Sequence, residues 1–346
     1  MYASVCPSLV FFFTIMLSVH RSTSFITFRT RGFASRPLYS KFLEQVEDTI
    51  QKVNPDPNLD KEAILKLPAA QRESVGVANR LSNRIKSLHK NNDCPTCWLQ
   101  RAHCICSETP PIDHLVPSNV NRVFMLMHHK EIGLVVDTAK VLLNAMPEKA
   151  RLVVNGIDEE YQETLRELNE AIKQKDRRCI VLFPTDDAQT FEDLVKENKE
   201  ITSTSNGSDE KFDVIVMDGT WNQARKIHSR YIPSEQEGGP KRVCLSQESL
   251  DIIAGINQDS DKSAESFTIN GVERGGSGRQ LRRHPIKWKE VSTLEATRLL
   301  LKDMSKLTSE NLLNEDGKAY HDILSEYQLI SDAAAVRQLG PPREKS

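Results

Sequence analysis

The chain has no excess of either charge. Its 46 Lys and Arg stand against 48 Asp and Glu, a formal net charge of -2. That excludes a global polycation, so any nucleic-acid binding has to come from a local patch. The apolar run at 10–19 (VFFFTIMLSV) falls short of the roughly 20 residues that span a bilayer. An even, dispersed set of cysteines is also missing: there are seven, and Cys94, Cys97, Cys104 and Cys106 are crowded together. This excludes a secreted disulfide framework and implies a reducing compartment for the mature protein. No internal repeat is evident, so a solenoid is excluded.

What is present is a soluble globular composition, 38% hydrophobic and 27% charged over 346 residues, enough for one large domain or two small ones. The N-terminus reads as an address. The apolar run has the length of a signal-peptide h-region but no basic residue before it, and the stretch 21–41 is basic, rich in Ser and Thr, and free of acid. Together they predict a targeting presequence over 1–41, of the bipartite plastid type or, as the next option, mitochondrial. A tail without an address, on a cytoplasmic or nuclear protein, is the alternative. Residues 42–90 predict a polar helical extension with no evident chemistry of its own.

From 121 the pattern alternates. Strands are expected at 123–127, 152–154, 179–183 and 214–217, and helices at 133–145, 158–175 and 190–200. Alternation of this kind implies an α/β fold, a mainly parallel sheet with helices on both faces. A polar, Gly-rich stretch covers 251–281, a strong helix 292–307, and a last helix about 318–337. The organisation is therefore 1–41 presequence, 42–90 extension, 91–310 catalytic domain and 311–346 C-terminal helix and tail.

The most informative motif is Asp218-Gly219-Thr220-Trp221. It joins an apolar strand to a helix, on the sheet edge where ligands bind in α/β folds. An acid, a turn-permitting glycine, a hydroxyl and a large ring share four positions. Cys94-Pro95-Thr96-Cys97 followed by Cys104-Ile105-Cys106 at 94–106 has the ligand set of a tetrahedral zinc knuckle. Four thiolates leave no open position, so the zinc is read as structural; iron–sulfur ligation and plain reduced cysteines are the alternatives. His128, His129 and Glu131 close the first strand of the alternating region, where they can touch substrate or handle protons, or form only a polar loop. Asp137 and Thr138 follow, with a solvated helix face as the plainer reading. Phe183-Pro184 closes another strand. Ser292-Thr293-Leu294-Glu295 is a capping box whose free N–H groups also suit an anion. Arg279, Arg282, Arg283, Lys287 and Lys289, interleaved with Trp288, form the one dense basic stretch, suited to phosphate contact and stacking or simply to solvation.

Taken together and in order, the cysteine cluster, His128–Glu131 with Asp137-Thr138, Asp218–Trp221 with Ala224 and Lys226, and Ser292–Ala296 resemble the DTW-domain family. The resemblance covers about 94–300. It implies a SPOUT-like, knotted α/β fold and S-adenosylmethionine-dependent transfer of a 3-amino-3-carboxypropyl group to N3 of a tRNA uridine. It also implies catalytic roles for Asp218, Thr220 and Trp221. Cofactor contacts fall to His128, Glu131, Thr138, Pro184, Gly219, Ser292, Thr293 and Glu295. The partners implied are tRNA and S-adenosylmethionine. The chain departs from the pattern at His129, where the family often has proline, at Asp137, where it often has asparagine, and in the long 251–281 insert. An S-adenosylmethionine-dependent RNA methyltransferase, a non-catalytic zinc-containing RNA-binding protein, and rRNA as substrate are the alternatives.

Overall fold

The computed structural model describes residues 41–54, 61–174, 178–201, 211–254, 267–269, 272–274, 292–307 and 314–340. The predicted presequence and the basic stretch 279–289, with Arg279, Arg282, Arg283, Lys287 and Lys289, lie outside the described residues.

Six strands form one parallel sheet: β1 (Val120–His128), β2 (Ala150–Asn155), β3 (Cys179–Leu182), β4 (Gln189–Thr190), β5 (Phe212–Asp218) and β6 (Lys241–Cys244). Their order is β2-β1-β5-β3-β6-β4, and every pairing is parallel. The central strand β5 is buried along its whole length. Its apolar run serves both faces, as expected of a strand covered on both sides. Val214 and Val216 belong to one apolar cluster and Ile215 and Met217 to the other. The alternation of β1 matches it, with Val123, Met125 and Met127 on the first face and Phe124 and Leu126 on the second.

Helices cover both faces. The second cluster includes Leu165, Leu168 and Ile172 of α5 (Glu163–Lys173) and Ala224 and Ile227 of α7 (Trp221–Tyr231). The first cluster collects the rest: α1 (Lys41–Val53), α3 (Ala69–Lys90), α4 (Ala139–Ala145), α6 (Phe191–Ile201), α9 (Thr293–Ser305) and α10 (Asn314–Leu339). Two short helices, α2 (Lys61–Lys66) and α8 (Gln247–Ala254), complete the set. The predicted α/β class is thus observed, and Leu38–Ser346 clusters as one unit.

Three expectations need correcting. The helix expected over 133–145 starts only at Ala139, because Gly133 has φ 80° and the Asp137 carboxylate takes the amides of Ala139 and Lys140 at 3.2 and 2.9 Å, a cap that fixes the helix start. The helix expected over 158–175 begins at Glu163, since 158–162 is a turn tied down by buried Gln162, whose Oε1 accepts from Val154 N. The 251–281 stretch is not loop throughout. It starts inside α8 and contains an antiparallel hairpin of β7 (Phe267–Ile269) and β8 (Val272–Arg274).

The 42–90 extension is helical as expected. Its apolar stripe, Val75, Ala78, Leu81, Ile85 and Leu88 of α3, joins the main core at helical spacing.

Candidate functional site

The register of the parallel sheet builds the site. Met127 of β1 lies opposite Asp218 of β5, and Val181 of β3 lies opposite Ile215. Hence His128, Asp218 and Phe183-Pro184 all emerge at the carboxyl edge of adjacent strands, the edge at which open α/β sheets bind ligands. The N-terminus of α9 meets them there: Thr293 Oγ1 donates to Asp218 Oδ1 at 2.7 Å. Residues far apart in sequence, and singled out on separate grounds, are thereby brought together.

Asp218 is the centre of the arrangement. It is buried, and the Asp137 carboxyl lies against its own. Burial, then repulsion from the Asp137 carboxyl, hold its pKa well above the usual carboxylate range, against the lowering effect of the Thr293 hydroxyl. Glu131 is raised too, by burial and by Asp137. The expected solvated helix face at Asp137 and Thr138 is corrected: both are buried, 5% and 4% exposed, and Asp137 belongs to the acidic cluster. Its carboxylate accepts the backbone N–H groups of Ala139 and Lys140, which fixes it beside Asp218.

The turn after Asp218 has a defined chemistry. Gly219 adopts φ 147°, and a Cβ there would come within 3.0 Å of Gln223 Oε1 and 3.3 Å of His128 Cβ. Thr220 is the N-cap of α7. Its hydroxyl accepts from Gln223 N, and Gln223 Oε1 accepts from Thr220 N at 2.7 Å, a reciprocal capping box. That bond orients the Gln223 amide so that its Nε2 donates to His128 Nδ1 at 3.3 Å. Lys130 N donates to the same nitrogen at 3.2 Å. With Nδ1 accepting twice, His128 is the Nε2–H tautomer, leaving an N–H to offer. Burial, with help from His129, Lys130, Arg80 and Lys226, pushes its pKa down to about 4, so the ring is neutral at pH 7.

Trp221 is 36% exposed and lies 5.7 Å from the Phe183 ring, which in turn stacks on His228 at 4.3 Å. The indole is therefore backed by an aromatic layer with one side left open. Ser292 accepts from Glu295 N at 3.2 Å, the N-cap half of the expected box, while the Glu295 carboxylate lies 3.6 Å from Arg298. Glu295 is buried, and its ion pair with buried Arg298 accounts for an acid at that position. Pro184 is exposed at the mouth of the edge.

The four cysteines also converge. All four sulfurs lie within 4.8 Å of one another, Cys94 to Cys106 at 3.6 Å and Cys97 to Cys104 at 3.8 Å. Tetrahedral Zn–S bonds of about 2.3 Å require sulfurs roughly 3.8 Å apart, so the set fits such an ion. The loop is preformed: Trp98 sits at φ 57°, Cys94 N donates to Leu99 O, and Trp98 N donates to Cys94 O. It is also anchored, through Asn144 Nδ2 to Thr96 O and Gln100 N to Gln338 Oε1.

Two contributors were not legible from the motifs. Gln223 supplies both the cap and the histidine tautomer. The extension, expected to carry no chemistry, braces the site: Arg84 Nη2 donates to Gly133 O at 2.7 Å, and Ser74 Oγ accepts from Asp158 N. Ser74 lies buried in line with the apolar stripe of α3 and Arg84 at its flank, and periodicity alone gives neither a partner.

No curated protein and no solved structure matches the chain. The model of the DTW domain matches residues 91–329, from the cysteine loop through Asp218–Trp221 and α9 into α10. Over that span lie both the metal-competent cysteine loop and the acidic strand-end cluster, and the chain belongs to the DTW-domain family.

Proposed function

We propose that the protein transfers the 3-amino-3-carboxypropyl group of S-adenosylmethionine to N3 of a uridine in tRNA. The family's role in tRNA modification supports the class of reaction. The observation that carries the finer reading is the buried acid pair at the carboxyl edge of the sheet, Asp218 beside Asp137, which with burial raises the proton affinity of Asp218. Such a cluster suits a cationic sulfonium and an imide proton in the same crevice.

S-adenosylmethionine supplies a sulfonium that is already a good leaving group. The chain's own task is positioning and proton handling. As the N3–Cγ bond forms, the S–Cγ bond breaks, its electron pair leaves with methylthioadenosine, and the N3 proton must go elsewhere. Asp218, with its raised proton affinity, is the acceptor in its ionised form. Thr293 holds its other oxygen, and His128 Nε2–H is free to donate to a carbonyl or carboxylate oxygen. Trp221 offers its open side to adenine or uracil. Thr220 acts through the cap of α7. Glu131, Thr138, Pro184, Gly219, Ser292 and Glu295 are proposed around the cofactor. Cys94, Cys97, Cys104 and Cys106 would hold zinc in a structural role. The SPOUT-like knot belongs to the same proposal, as does import into a plastid or mitochondrion by residues 1–41.

The test is nucleoside mass spectrometry after incubation of purified protein with S-adenosylmethionine and unmodified tRNA. Aminocarboxypropyl-uridine supports the reading; methylated nucleoside without it supports the methyltransferase alternative and rejects this one.

A further inference from the structure

We infer that the outer face of α7, continued by Arg80 of α3 and by Lys130, is the surface on which the RNA backbone docks beside the crevice. The inference rests on the proposed tRNA substrate. It adds where that substrate lies and gives the N-terminal extension a part in holding it.

Asn222, Arg225, Lys226, Ser229 and Arg230 line a shallow depression of about 460 Å³. They recur at the three- and four-residue spacing of a single helix face, opposite the buried Ala224 and Ile227. Trp221, 36% exposed, stands at the head of that face, three residues after Asp218 in the chain. Arg80 and Lys130 are exposed, as are Arg225 and Lys226, and none of the four is in an ion pair with a carboxylate among the described residues. Among the described residues, Arg225 bonds only to Asn222 Oδ1. Arg230 differs, because Glu73 of α3 neutralises it at 2.5 Å.

That Arg230–Glu73 pair lashes α3 to α7. Glu73 Oε1 also lies 3.3 Å from where a Cβ on Gly156 would sit, and His129 Nδ1 lies 3.9 Å from the same point. The two helices therefore flank the histidine loop. Lys226 from one side, Arg80 from the other and Lys130 from the loop itself all repel a proton from His128. The cations are thus arranged around His128.

An open, extended cationic face with an exposed indole at its inner end has the features of nucleic-acid surfaces: phosphates along the charges, a base at the ring. A free nucleotide would need an enclosed pocket, which this depression is not. Arg80 lies before residue 91, outside the span matched by the family model, so the chain brings its own extension to the surface.

The test measures affinity of the full chain for an in vitro transcribed tRNA over a salt series, together with S-adenosylmethionine affinity by calorimetry. Arg225→Glu/Lys226→Glu and Arg80→Glu are compared with Lys196→Glu on α6. The expected result is a tenfold or greater loss of tRNA affinity for the first two. The slope of log affinity against log salt should fall by roughly 0.7–0.9 per lost phosphate contact. Cofactor affinity and melting temperature should stay unchanged. If charge reversal unfolds α7, Arg225→Gln/Lys226→Gln serves instead, with about half the loss. Unchanged tRNA affinity and slope in folded variants overturns the surface while leaving the functional reading standing. Loss of binding to anionic lipid vesicles with tRNA binding intact overturns it in favour of a membrane face. Failure of the unaltered chain to bind tRNA overturns both.

Discussion

At the scale of single residues, Asp218 is the proposed proton acceptor, and its electrostatics make a signed prediction. Its folded pKa lies above the ordinary aspartate value of 3.8. The folded state therefore binds the proton more tightly than the unfolded chain does. The stability this confers is fully present below pH 3.8 and is lost as pH rises through the folded pKa. Asp218→Asn removes the titration, so its melting temperature relative to the unaltered protein should be higher at pH 8 than at pH 5. The same variant should lose activity by about a hundredfold or more. The rate of the unaltered enzyme should rise with pH through an inflection above the ordinary carboxylate range. A flat profile, or an active Asn variant, would remove Asp218 from proton transfer. Gly219 makes a structural prediction of the same sharpness. Gly219→Ala places a Cβ against Gln223 and His128 at a φ that disfavours it, and should cost on the order of 1–3 kcal/mol in urea denaturation.

The motif residues were legible one by one because each is an unusual residue type at a strand end. Their division of labour was not. Thr220 reads equally as a cap or a ligand contact until the Gln223 bonds are seen. Asp137 looks like a solvated helix residue until the helix is found to begin two positions later.

At the scale of elements, helix α7 is set by its capping box. Thr220→Ala should destabilise by about 1 kcal/mol, and Thr220→Ser should restore most of it. If Thr220 acts only through the cap, the KM for S-adenosylmethionine should follow the change in stability and show no separate loss. The cysteine loop is the second element with a direct test. The intact chain should contain one zinc per molecule by elemental analysis. Cys97→Ser should lose the metal and lower the melting temperature, because the loop anchors to α4 and α10 through Thr96 and Gln100. A metal-free chain of unchanged stability would return the four thiols to plain packing. Periodicity found the elements but misplaced their starts. Expected and observed strands share their cores, since apolar runs such as Val214–Met217 state their own burial. Starts at Ala139 and Glu163 depend on caps and on a positive φ at Gly133, which a hydrophobic pattern does not encode.

At the scale of the whole molecule, the α/β class followed from alternation, but the strand order did not. Nothing in the local sequence of β5 says that it inserts between β1 and β3. That placement is what sets Asp218 beside His128. The extension was read as polar helix without chemistry, yet α3 contributes a core stripe and, beside Leu88 at its flank, the bracing Arg84. Deleting residues before 91 should therefore lower stability by several kcal/mol and weaken tRNA binding, whereas deleting 1–40 should change neither. A reporter fused to residues 1–45 should reach an organelle, and a diffuse cytoplasmic signal would remove the presequence from the account.

The central claim is that the crevice at Asp218 exposes Cγ of the methionine moiety to a uridine, and the released coproduct reports it most directly. Purified protein, S-adenosylmethionine and unmodified tRNA should yield methylthioadenosine in step with aminocarboxypropyl-uridine, and Asp218→Asn should abolish both. Release of S-adenosylhomocysteine instead would mean that the methyl group is transferred, and would contradict the account.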